Sequence, residues 1–524
     1  MADTTTSPAV PAGWYPDPGD PTRHRWWDGT AWTANVHPPP GPAVTPTSAT
    51  ERTKARRWSI GAAGAAALVL IVVATVLVVR SGGPGYPSEW DPRVADIVAF
   101  DEQARGLQFK HPIEIEMVPE EDFADSVRID ETDLDEEDLD EIRSSEAQLR
   151  AFGLIDGSTD LLDSTSDIQS AGILAYYSPE EEKVYVRGTE LTPAVRATLA
   201  HELTHALQDQ HFDLREMEAS APDSGAARAI IEGDATRIEN AYVDQLSQAD
   251  QDAVQDEQSG DYEDSGLGEM PDALVAVQMA PYALGEPAVG VVVARGDNAE
   301  VNQVFLKPPA TDVQILDPQR LSEDAPAPVE TPDVPDGATI TSSDDPLGAL
   351  FWDIVLARRV GIHPALAFAT SWDGDTSVTY ETSDGRTCTR AAIRATDPAG
   401  AASMLSTLDA WLAAGGQPLD EHTFARLRGA DVVEMGVCDP GPEVDAPGDD
   451  NAQPAIALAS IRLEFERQAL EAGQSMRAAR CFGDAAIEPF EASDLSADAD
   501  PEQVQAKAFP VIEAAAAACA DAPR

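Results

Sequence analysis

Residues 192–212 read T-P-A-V-R-A-T-L-A-H-E-L-T-H-A-L-Q-D-Q-H-F. Thr192 offers a hydroxyl to the unpaired N–H groups of a first helical turn, and Pro193 suits the first helical position, where no N–H is needed. The stretch predicts a helix from Pro193 to about His211. His201 and His205 stand at i and i+4, on one face of that helix, and Glu202 projects beside them.

Two imidazoles at this spacing can meet one metal ion. The intervening Glu can take a proton from water on the ion, and H-E-x-x-H is the pattern of zinc metallopeptidases. Zn2+ lowers the pKa of such a water toward about 7. A catalytic zinc takes three protein ligands and keeps one position open. Two residues compete for the third place. Glu232 lies in I-I-E-G-D-A-T, residues 230–236, inside a second helix predicted from Gly225 to about Leu246. Ile230 and Ile231 turn that part toward a core, and a carboxylate beside them needs a cation. Gly233 weakens a helix, which points to close approach of another backbone. The rival is His211, which has the spacing of H-E-x-x-H-x-x-G-x-x-H. Gln208 stands where that pattern needs the Gly that turns the chain back to the metal.

H-E-L-T-H-A-L-Q-D-Q-H-F followed by E-G-D-A resembles a group of bacterial membrane-anchored or secreted neutral zinc metallopeptidases of gluzincin type. Ala280-Pro281-Tyr282-x-x-Gly285 and P-P-A-T-D-V-Q-I-L-D-P, residues 308–318, fit the same resemblance. The second departs from the group's pattern, which carries His where Asp317 stands here. The resemblance covers roughly residues 90–480. It implies an α+β, zincin-like fold with the H-E-x-x-H helix beside a small sheet. It also implies His201, His205 and Glu232 as ligands of one Zn2+ and Glu202 as general base; it names no substrate. Asp234 and Asp209 are candidates to orient the ligand imidazoles. Tyr282, His211 and His363 are candidates to donate to a developing oxyanion. The strand expected at Val184–Arg187 is offered as an edge along which a peptide substrate lies.

Around this centre the chain is asymmetric. It carries 93 acidic and 35 basic side chains, a formal net charge of -58. That excludes a general nucleic-acid binder, which needs Lys and Arg to neutralise phosphate. Residues 58–79, W-S-I-G-A-A-G-A-A-A-L-V-L-I-V-V-A-T-V-L-V-V, hold 22 positions without a charge. That length spans a bilayer as a helix. Arg52, Lys54, Arg56 and Arg57 precede it and Arg80 alone follows closely, so the N-terminus is expected in the cytoplasm and the rest outside the cell. Cys388, Cys438, Cys481 and Cys519 all fall in the external part. Such cysteines pair in an oxidising compartment. Sequential pairing, Cys388–Cys438 and Cys481–Cys519, closes the shortest loops.

Residues 13–33 hold four of the nine Trp, and W-Y-x-D-P with W-W-D-G-x-x-W-T closely resembles a short Trp-rich bacterial module of unknown function. The expected organisation is a cytoplasmic module at 1–37, linker at 38–57, membrane helix at 58–79 and stalk at 80–90. A zinc metallopeptidase core at 91–345 and a C-terminal helical and hairpin region at 346–524 follow. Residues 247–268 and 318–346 read as loops, 347–370 and 454–482 as helical, and 375–395 as a hairpin. The acidic run at 129–142 reads as a solvated helix face and lacks a D-x-D-x-D-G calcium loop. The expected activity is zinc-dependent hydrolysis of peptide bonds, endopeptidase in type. The alternative is a non-catalytic extracellular binding, scaffold or signalling protein with a degenerate or structural metal site. The expected partners are a peptide or protein substrate, the cell membrane, and a cytoplasmic partner of the Trp-rich module.

Overall fold

In a computed structural model of the chain, residues 13–17, 20–27, 32–37 and 86–519 are described, apart from 121, 124–133, 135, 163, 165–172, 265–269, 417–418, 445–447, 497–498 and 500. The linker at 38–57, the apolar span at 58–79 and the first part of the stalk lie outside the described residues. Two units separate, Met1–Ser59 and Ile60–Arg524. In the first, β1 (Gly13–Asp17), β2 (Asp20–Trp27) and β3 (Trp32–His37) form an antiparallel sheet in that order. Its register sets Trp14 opposite Trp26 and Trp27 opposite Trp32.

The second unit opens with α1 (Ala95–Arg105), β4 (Glu114–Val118) and α2 (Glu136–Ala151). The hairpin β5 (Ala175–Ser178) and β6 (Lys183–Arg187) leads into α3 (Pro193–Phe212), the H-E-x-x-H helix. A short α4 (Leu214–Ser220) precedes α5 (Ser224–Asp244), α6 (Gln248–Asp264), α7 (Asp272–Leu306) and the single turn α8 (Val313–Leu316). Then come β7 (Thr339–Asp345), α9 (Ala349–Val360), α10 (Ile362–Thr370), β8 (Trp372–Glu381), β9 (Thr387–Ala395) and α11 (Pro398–Gly415). β10 (Phe424–Leu427), β11 (Val432–Cys438), α12 (Ala452–Glu471), α13 (Met476–Ile487) and α14 (Pro501–Cys519) complete it. The class is α+β. One sheet runs β4-β6-β5, with β4 parallel and β5 antiparallel to β6; the other is antiparallel in the order β10-β11-β9-β8-β7.

The helix α3 begins where its sequence says it should. Thr192 Oγ1 accepts from the Val195 N–H at 3.2 Å, and Pro193 follows. From Leu199 to Gln208 every residue is buried. Leu199, Leu203 and Ala206 join Val184 and Val186 of β6 in one apolar cluster. The opposite side of α3 meets α5, whose Ile230 and Ile231 belong to a second, larger cluster. The site therefore sits between a small sheet and a helical core.

Three expectations are corrected. The strand expected as a substrate edge, Val184–Arg187, is the central strand of its sheet, hydrogen-bonded on both sides, so it cannot accept a peptide; β5 is the edge beside α3. Residues 247–268 are not a loop: α6 occupies 248–264, acidic along its length but anchored by buried Val254. The stretches 347–370 and 454–482 are helical as expected, each in two helices that meet at Gly361 (φ 87°) and near Gly473 (φ 83°), where the left-handed backbone ends one helix before the next begins. The division at 345/346 is no division in packing. One cluster joins Phe152, Ile230 and Val291 to Trp352, Trp411 and Leu463. Elsewhere, the stretch 318–346 also contains the edge strand β7.

Among the described residues one helix, α7, is long and apolar enough to cross a membrane, and 67% of its most apolar window is buried. It packs in the larger cluster through Ala280, Leu284, Ala288 and Val292. The structure pairs Cys388 with Cys438, directly opposite on β9 and β11, and Cys481 with Cys519.

Candidate metal centre

His201 and His205 project from adjacent turns of α3 toward one carboxylate on α5. Their Nε2 atoms each lie 3.2 Å from the same oxygen, Oε2 of Glu232. Donors bound tetrahedrally at ~2.0–2.1 Å stand about 3.3–3.4 Å from one another. The two imidazole nitrogens and the carboxylate oxygen all lie within 4.8 Å of one another, so the set could hold a metal ion.

The far nitrogens of both rings have partners. His201 Nδ1 lies 3.1 Å from Glu239 Oε2, and His205 Nδ1 lies 3.1 Å from Gln208 Oε1. Both partner oxygens are acceptors, so with a cation at Nε2 each ring would carry its proton on Nδ1 and turn the Nε2 lone pair to the site. Gln208 is itself fixed, since its Nε2 donates to Asp234 at 3.0 Å and to the Ile231 carbonyl at 3.2 Å. Asp234 is fully buried between Arg105, at 2.6 Å, and Arg237, at 2.5 Å. Burial alone would raise the Asp234 carboxyl, but the two guanidinium groups outweigh it and hold it low.

Burial would lower both imidazoles, yet the carboxylates beside them win and raise both, Glu232 and Glu239 at His201 and Glu232 at His205. The same contacts hold Glu232 far below the usual carboxylate range against its burial. Glu202 differs. Its Oε2 accepts from the Tyr177 N–H of β5 at 2.7 Å, but desolvation dominates and raises its carboxyl. A carboxyl with a raised pKa can take a proton and give it back.

Tyr282, on α7, places its ring 6.5 Å from that of His201 in stacked orientation and is 37% exposed. The charge of Glu232 raises its hydroxyl. The residues around it explain A-P-Y-x-x-G. A Cβ on Gly285 would stand 2.1 Å from the Ala229 carbonyl oxygen, and one on Gly233 would stand 2.1 Å from the Gly285 carbonyl carbon. The backbones of α5 and α7 touch at these two glycines, which sets Tyr282 over the ligands.

Other sequence candidates lie elsewhere. His211 stays on the continuing helix, and its Nε2 lies 2.9 Å from the Gln108 carbonyl oxygen, which corrects its candidacy as third ligand or oxyanion donor. His363 pairs with the Phe490 carbonyl at 2.7 Å. Asp209 accepts from the Tyr177 hydroxyl at 2.8 Å and from the Leu214 N–H at 2.9 Å, so it secures the end of α3 rather than an imidazole. Asp234 acts on His205 only through Gln208. Asp317 is buried and pairs with Arg480 at 2.8 Å. Sequence reasoning missed Glu239 and Gln208. Glu239 stands two turns after Glu232 on the same helix, and Gln208 one turn after His205, so both spacings could have been read. A second candidate set, Cys388, His422 and Cys438, has its two sulfurs joined in a disulfide.

A model of a family described as a protein of unknown function, DUF2510, matches residues 12–45, which takes in the Trp-rich stretch. No curated protein and no solved structure matches the chain.

Proposed function

We propose that the chain is a zinc-dependent peptidase with a zincin-like core of gluzincin type, anchored outside the cell by the apolar segment 58–79. The observation that carries this reading is the convergence of His201 Nε2 and His205 Nε2 on Glu232, with both opposite nitrogens held by acceptors. When bound there, zinc supplies a Lewis acid and brings the pKa of a water toward about 7.

The chain's own residues supply the rest. Glu202, steadied by the Tyr177 N–H, accepts the proton of the attacking water and returns it to the leaving amine. Tyr282 is placed to donate to the developing oxyanion. The edge strand β5 offers backbone groups to an extended peptide beside Glu202, the part first assigned to β6.

The test is elemental analysis and hydrolysis of an unstructured protein by the full chain in detergent. About one zinc per chain is expected, with Glu202→Gln retaining the metal and losing hydrolysis. Absence of zinc after reconstitution, or undiminished hydrolysis by the variant, overturns the reading. A zinc-loaded wild type without hydrolysis would favour a binding role.

A further inference from the structure

Arg228 stands one turn before Glu232 on α5, and positions i and i+4 share a face. Its Nε donates to Glu218 Oε1, on α4, at 3.2 Å. Its two Nη groups make no hydrogen bond among the described residues, and 27% of the side chain is open to solvent. Burial alone would lower the guanidinium, but the charges of Glu218, Glu232 and Tyr282 raise it. Arg105 and Arg237, the cations behind the ligands, are both held by Asp234. Arg228, one turn from Glu232 on the same face of α5, is thus a cation that keeps part of its side chain open to solvent.

We infer that Arg228 sets specificity, its open Nη groups receiving a carboxylate of the peptide substrate. The inference rests on the peptidase reading. A guanidinium presents parallel N–H donors in a plane, and a carboxylate accepts them in pairs. Glu218 takes the Nε–H and leaves the Nη groups to other acceptors. The chain's charge of -58 disfavours acidic peptides at a distance. Salt screens that repulsion beyond about 8 Å, so discrimination at contact falls to the local cation. Two peptide groups offer the needed chemistry, an Asp or Glu side chain and the C-terminal carboxylate.

The test uses the full chain in detergent and quenched-fluorescent peptides. One set replaces Gln by Glu at each position around the cleaved bond, and the other compares a free with an amidated C-terminus. The wild type is expected to favour one carboxylate-bearing peptide by roughly ten-fold or more in kcat/KM, as a charge-assisted pair allows. Preference in the first set identifies a side chain, and preference in the second identifies the terminus. Arg228→Gln should abolish the preference by slowing the acidic peptide alone, at unchanged zinc content. Arg228→Lys should keep part of it, and Glu218→Gln should keep or strengthen it. Cleavage without a carboxylate preference, or a preference that survives Arg228→Gln, overturns this inference alone. No cleavage of any peptide by zinc-loaded wild type overturns the peptidase reading and this one with it.

Discussion

Gln208 uses both ends of its amide, Oε1 toward the His205 ring and Nε2 toward Asp234 and the Ile231 carbonyl. The pair of charged groups behind it, Arg105 and Arg237, keeps Asp234 ionised in a dry site. The order of that chain matters, because a buried carboxylate without its cations would take up a proton and lose its hold on the amide. Partners of this kind orient metal ligands and are worth about 10–100-fold in metal affinity. Gln208→Leu and Glu239→Gln are each expected to weaken zinc binding by about that factor, read by competition with a chromogenic chelator. Wild-type affinity in both variants would mean that the two contacts are only packing. The histidine pair itself was legible in the sequence, since i,i+4 spacing on a capped helix leaves little choice of direction. Glu239 was not, because nothing in a linear pattern says which of several helical carboxylates reaches back to a ring.

At the scale of elements, the decisive contact is backbone on backbone between α5 and α7. Neither glycine has room for a methyl group. Gly233→Ala and Gly285→Ala must push the helices apart, and overpacking of this kind costs about 1–3 kcal/mol. The same displacement carries Tyr282 away from His201, so activity should fall further than stability. Gly225→Ala is the control, with only the Asp223 side chain at 3.4 Å from the new Cβ. Thermal melting beside peptide hydrolysis checks this, and equal behaviour of all three variants would remove the helix contact from the explanation. Gly233 announced this contact in the sequence through its cost to a helix. The strand order did not announce itself. β5 and β6 have similar length and both alternate in burial, yet only β6 has a partner on each side, and that partner β4 comes from well upstream.

Across the whole molecule, buried acids set the response to pH. Asp353 on α9 is fully buried, neither carboxyl oxygen has a hydrogen-bond partner, and burial pushes its pKa up to about 8. Burial raises Asp312 and Glu466 to about 7 and Asp375 to about 6. A carboxyl whose pKa is raised by folding favours the folded state below its unfolded value, near 4. That contribution is lost as pH rises through the folded value. Stability should therefore fall between pH 5 and 8, by about 1.4 kcal/mol per unit for each group still protonated only in the fold. Asp353→Asn should flatten that slope, measured by urea unfolding at both pH values; an unchanged slope would show that Asp353 ionises freely. On the proposed zinc reading, a bound metal adds stability to the folded state. Chelation of the metal is expected to lower the melting temperature, and added zinc to restore it, because the ligand set exists only in the folded chain.

What the sequence determined by itself was local. The capped helix, the two histidines and the glutamate on it, the glutamate and glycine of the next helix, and the order of the cysteines all follow from spacing and backbone chemistry over a turn or two. Residues such as Val254, which anchors an otherwise polar helix, and Arg228, which donates to Glu218 of the preceding helix, have no local signature. Only the tertiary structure decided that α6 is a helix, that β5 rather than β6 is the edge, and that one core runs across residue 345. Each of those depends on which distant surface a segment meets, and burial against a partner far along the chain outweighs the few tenths of a kcal/mol by which a residue prefers one local conformation.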